Sequence, residues 1–238
     1  MQKMNNASFI SDESGAVTVD WTVMTAAIAG LGLATYGVVS GGISNLSSDV
    51  AVQLGSQSIR TAFGELTFLD DFENGAAGWL GGVTDNTDPG YGGILGRFGG
   101  TNGAQTVSKI FELDTNKDYA VAVFDLHAID SWDRETFTVF VDDTPISGHQ
   151  FAWREAGVVG EWTSPDDNYT VTIEPTTERT QIGYSGWVDQ SYEMRVTVRD
   201  PGEELKLGFG SNLNQSITDE SWAIDNVAVT STNTPDAL

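Results

Sequence analysis

The sequence predicts an all-β head, an antiparallel sandwich of jelly-roll type, carried on a long N-terminal α-helix. Three observations lead there. Residues 16–39 form one apolar run broken only by Asp20, and no Lys or Arg stands between Lys3 and Arg60. From Leu66 onward, apolar and polar residues alternate in short stretches separated by Gly, Asp and Asn, the period-2 pattern of half-buried strands. No second helical pattern follows, so strands are left to pack on strands.

The apolar run comes first. Its length corresponds to roughly 36 Å of helix, enough to cross a bilayer. Ala26, Gly30 and Ala34 repeat every four positions, as do Gly37 and Gly41, a spacing that lets helices approach closely. Beyond Gly41 and Gly42, the residues Ile43, Leu46, Val50 and Leu54 keep a helical period with polar residues between them. One helix is therefore predicted over 16–63, bent at the glycine pair.

The head is predicted over 64–230. Its expected strands lie at 66–72, 106–113, 119–129, 137–141, 180–187, 192–199, 204–210 and 222–230. The turn-rich segments 85–93 and 99–103 separate some of them, and 231–238 reads as a flexible tail. Trp79, Trp132 and Trp222 sit in strand-like contexts and are expected in the core.

Charge and composition bound the partners. The 238 residues carry 11 basic and 34 acidic side chains, a net charge of −23. That disfavours nucleic acid and anionic lipid surfaces as ligands and suits a solvated surface in a salty or calcium-containing medium. Cysteine is absent, which removes disulfides and thiolate metal sites.

Residues 13–21, ESGAVTVDW, form the most specific short segment. It resembles the processing site of type IV prepilins, in particular the small bacterial pilins of tight-adherence systems. The resemblance implies a leader over 1–15, cleavage by a prepilin peptidase between Gly15 and Ala16, and an acidic fifth mature residue, here Asp20. The family usually has Glu followed by Tyr there, where this chain has Asp followed by Trp, and its leaders are usually basic, where this one carries one Lys and two acids. A carboxylate on an apolar helix is costly without a partner. Cleavage would free an α-ammonium on Ala16, which in a staggered stack of parallel helices can meet Asp20 of the next subunit. Two plainer readings stand beside this one: a simple membrane anchor, and a cleaved secretory signal with an unusually long apolar core.

Residues 66–230 resemble extracellular jelly-roll modules of the MAM and carbohydrate-binding kinds. The resemblance rests on LDDFENG at 69–75 with Trp79, and on ESWAIDNVAV at 220–229. It implies that the first and last strands lie side by side and that Asp71, Glu73 and Asp225, with Asp70 a further candidate, hold a structural cation. Independently, Asp225 interrupts a strand otherwise apolar enough for core, where an unpaired carboxylate is expensive. Oxygen ligands alone suit Ca²⁺. The alternative makes these acids turn formers or solvated strand ends, as expected for Asp85, Asp88 and Asp130.

No nucleophile, metallohydrolase, P-loop or dinucleotide-binding pattern is present, and His127 and His149 stand apart in sequence. The chain is not expected to be an enzyme. Trp153, Trp162 and Trp187 are candidates for a sugar-stacking surface. The function expected is a self-assembling structural subunit of a pilus-like filament, held in the inner membrane before the assembly machinery exports it to the cell surface. The alternative is a membrane-anchored or pilus-tip adhesin with surface glycans as its partners.

Overall fold

A computed structural model of the chain describes residues 21–36, 38–39, 59–60, 66–184 and 186–238. The chain divides into two compact units, Met1–Val50 and Ala51–Leu238. In the first, residues 21–36 and 38–39 are helical and every described side chain is exposed. The second is a two-sheet antiparallel sandwich.

Among the described residues, thirteen strands build the second unit: β1 (Ile59–Arg60), β2 (Leu66–Asp70), β3 (Thr84–Asp85), β4 (Ile94–Phe98), β5 (Gln105–Glu112), β6 (Tyr119–Asp130), β7 (Asp133–Val141), β8 (Thr144–Ala152), β9 (Glu155–Thr163), β10 (Tyr169–Pro175), β11 (Gln190–Arg199), β12 (Glu204–Ser211) and β13 (Glu220–Thr232). One sheet runs β1-β2-β13-β6-β11-β10, with β4 also on β13 and β3 on β4; the other runs β5-β12-β7-β8-β9. The central strand, β13, pairs with β2, β4 and β6. The expectation that the first and last strands of the head lie side by side is met, with Val227 opposite Asp70 and Val229 opposite Phe68.

The inner faces interdigitate around aromatic rings. Phe209 stacks on Phe137 at 5.9 Å and meets Phe124 at 4.7 Å, and Trp222 meets Phe98 at 4.7 Å. Trp79, Trp132 and Trp222 are buried as expected. Burying each such side chain favours the fold by about 1.5–3 kcal/mol.

Four expectations are corrected. The helix predicted through residue 63 has ended by Ile59, because Ile59 and Arg60 pair with Thr67 and Leu66 as a two-residue strand; its predicted amphipathic half, 43–54, lies outside the described residues. The segment 180–187 is a loop with one bridge, Thr180 to Asp189. Its backbone is satisfied otherwise, since the Asp189 carboxylate accepts from the N–H groups of Ile182 and Gly183. The tail is not free. Ser231 and Thr232 are buried in β13, and Arg195 donates to the carbonyls of Ala237 and Leu238. Asp130 is not a plain turn residue. It is 2% exposed and accepts from the Trp187 N–H at 3.2 Å.

Candidate functional site

The acids expected to bind a cation sit where β2 ends and β13 bends. On β13 a bulge between Asp225 and Ala228 breaks the register against β6 and leaves Asp225 opposite Asp125. Asn226, at φ 50°, fills the bulge, and its side-chain amide donates to Asp125 Oδ2 at 2.8 Å and to Asp225 Oδ2 at 3.3 Å. On the turn after β2, Phe72 is buried in the core, which fixes the flanking Asp71 and Glu73. Glu73 Oε1 accepts from the Gly93 N–H at 2.9 Å, and a side chain at Gly93 would meet the Glu73 backbone at 3.0 Å.

These groups share one electrostatic environment. Burial lifts the Asp225 carboxyl to about 7, and the negative charges of Asp125, Glu73 and Asp71 add to that rise. The structure thus places Asp71 and Glu73 within electrostatic reach of Asp225 and adds Asp125, whose signal was in the sequence: an acid between Phe124 and Leu126 in an apolar strand. As placed, no three His, Asp or Glu side chains among the described residues form a ready coordination shell. The acids fit a cation in chemistry and in mutual repulsion, and not yet in geometry.

Asp70 plays a different part. Lys109 Nζ lies 3.7 Å from its Oδ2, both side chains being about nine-tenths buried or more. The Trp79 indole N–H donates to the same oxygen at 3.0 Å. This carboxylate already has its counter-charge.

The helix is the second candidate element. Gly15, Ala16 and Asp20 lie outside the described residues. The helical residues carry no charge, and the hydroxyls of Thr25 and Thr35 donate back to the carbonyls of Trp21 and Leu31, so neither needs water. Trp21, Ile28, Leu31, Leu33, Tyr36 and Val38 are each at least 67% exposed. Among the described residues no helix is long and apolar enough to cross a membrane; residues 21–36 span about 24 Å.

An aromatic corner is the third. Trp153 and Trp187 meet at 4.8 Å, and Arg154 lies 4.4 Å over the Trp153 ring. Beside them is a cleft of about 20 Å³ lined by Asp130, Trp153, Glu155, Arg179 and Asp189 among others. Trp162 does not join this corner. It pairs with Gly148 further along β8 and β9, its ring so close that a side chain there would collide with the indole nitrogen. His127 and His149 are buried and bonded to Ser191 and Ser147 respectively.

No family model and no curated protein matches the chain. Among solved structures, dimeric latent PorU from Porphyromonas gingivalis is similar over 73% of this chain and 13% of its own, with a TM-score of 0.39 and 12% identity. A sugar-binding protein, the EclA C-terminal domain, is similar over 55% of this chain and 69% of its own, with a TM-score of 0.29 and 11% identity. The chain therefore spans only a small part of PorU.

Proposed function

We propose that the chain is a structural subunit of an extracellular, pilus-like filament, its apolar helix packing in the filament core and its acidic sandwich displayed on the surface. The observation that carries this reading is the uncharged helix with no described side chain covered. Such a surface is stable only against lipid or other apolar helices, and Ala26, Gly30 and Ala34 allow close helix approach. Before assembly the inner membrane covers it; afterwards, copies of itself do. Prepilin peptidase cleaves after Gly15, and the new Ala16 amine of one subunit pairs with Asp20 of its neighbour. The head has no part in catalysis. Asp71, Glu73 and Asp225, joined by Asp125, hold a structural Ca²⁺ that ties its first strand to its last.

Replacing Asp20 by Ala tests the assembly role. Surface filaments, counted by electron microscopy, are expected to fall sharply while the melt of the head stays unchanged, and Asp20→Glu is expected to restore them. Normal filaments from Asp20→Ala would remove the proposed pairing. The adhesin alternative rests on the Trp153–Trp187 corner: glycan-array binding that Trp187→Ala abolishes would favour it.

A further inference from the structure

A second pair of acids lies between the two sheets, apart from the cluster around Asp225. Glu135, near the start of β7, is 5% exposed, and Glu220, the first residue of β13, is 0% exposed. The loop between β12 and β13 joins them. Asn214 donates through its backbone N–H to Glu220 Oε1 at 2.7 Å and through its side-chain amide to Glu135 Oε1 at 3.0 Å. The Gln215 N–H also donates to Glu220 Oε1, at 2.8 Å. Glu135 Oε2 accepts from the Asp133 N–H at 2.7 Å.

Loop capping accounts for three of the four oxygens. The fourth, Glu220 Oε2, is fully buried and has no hydrogen-bond partner. No ion pair among the described residues involves either acid; the basic partners belong to Asp70, Glu155, Glu161 and Asp143. Burial pushes the Glu135 carboxyl up, a hydrogen bond with the Asp133 side chain adds to the rise, and the charge of Glu220 contributes last. Two like charges removed from water without a counter-charge are costly, and a carboxylate needed only as a cap would not leave its second oxygen bare.

We infer that Glu135 and Glu220 hold a hard divalent cation of the calcium class between the sheets, clamped by the Asn214 loop. Two carboxylates supply the charge, and backbone carbonyls, an amide oxygen and water complete the six to eight oxygens calcium takes. Among the described residues no third acid or histidine completes a protein-only shell, so this is a hydrated site. It pins β7 of one sheet to β13 of the other. It does not depend on the cation assigned to Asp71, Glu73 and Asp225.

The experiment is calcium titration calorimetry on the full chain in mild detergent after chelator dialysis. Asp225→Asn serves as the background, silencing the other acidic cluster. One calcium per chain is expected to bind in that background, and adding Glu135→Gln is expected to weaken binding at least tenfold. Glu135→Gln is near-isosteric and keeps hydrogen-bonding capacity toward Asn214 and Asp133. Should it fail to fold, Glu135→Asp, which retains the charge but withdraws it by one methylene, is expected to bind more weakly than the background does. Absence of calcium binding by Asp225→Asn, or equal binding with and without either change at Glu135, overturns the site. A Glu135→Gln protein that melts higher at neutral pH and ignores calcium also overturns it, and identifies a shared proton instead.

Discussion

The helix and the head draw on the same apolar residue types and use them in opposite ways. In the head, Trp222, Phe137 and Phe209 are 0% exposed, each ring against another. In the helix, Leu33 is 74% and Val38 77% exposed. The head completes its core within the chain, whereas the described side chains of the helix are all exposed. On the function proposed above, the difference separates what the chain needs to fold from what it would need to assemble.

Substitutions in the two regions should therefore read out in different assays, and the largest contrast is expected in the core. Trp222→Ala empties a fully enclosed site and should cost the head about 3–5 kcal/mol. Leu31→Ala, on the bare helix, should leave the melt of the head within about 0.5 kcal/mol of the parent. Paired thermal melts check this. An equal loss from both would mean that the helix packs into the head's stability.

Calcium sharpens the comparison next, because the proposed cation would bind acids of the head, Asp71, Glu73 and Asp225. A ligand bound solely by the folded state at about 100 times its Kd adds about 2.7 kcal/mol. Melts with calcium and with a chelator should differ by several degrees, and Asp225→Asn should shrink the difference. Superimposable melts, with no metal retained, would leave Asp71, Glu73 and Asp225 as ordinary strand-end acids.

A smaller effect is expected from pH. The Asp225 carboxyl, raised from 3.8 to about 7 by burial and neighbouring acids, binds its proton more tightly folded than unfolded. Its contribution to stability is therefore present below the unfolded value and is lost as pH rises through about 7. In chelator, Asp225→Asn should melt higher than the parent at pH 8, by a margin that shrinks as pH falls below about 7 and closes only near the unfolded value of 3.8. A gain that grows toward acid would reverse the sign and refute the crowded-acid account. Burial lowers the His127 pKa to about 4; its opposite slope is common to both proteins and cancels in the difference.

How far the sequence foretold the molecule follows the same division. Strand β11 was legible because Tyr192, Met194, Val196 and Val198 all turn into the core while Glu193 and Arg195 alternate with them. Strand β9 carried no such signal. It is a glycine-bearing edge strand whose residues are at most half-buried, so burial never imposed an alternation. The 180–187 segment looked like a strand because Ile182, Tyr184 and Trp187 are apolar, yet side-chain carboxylates rather than a ladder satisfy its backbone. In the first acid cluster, Asp225 and Asp125 were readable as acids in apolar strands. Their meeting was not, since it depends on the bulge that Asn226 makes in β13. The Glu135–Glu220 pair was hidden for a similar reason, as only the folding of the Asn214 loop brings two distant strand starts together.

The central claim is that the bare helix is the assembly element of a processed filament subunit. Filaments sheared from cells expressing the chain, purified and examined by N-terminal sequencing and mass spectrometry, test it most directly. The account predicts that this chain is a component of the filaments and that it begins at Ala16, with 238 − 15 = 223 residues retained. A chain that still begins at Met1, one that starts beyond residue 30, or filaments that lack it altogether would contradict the account.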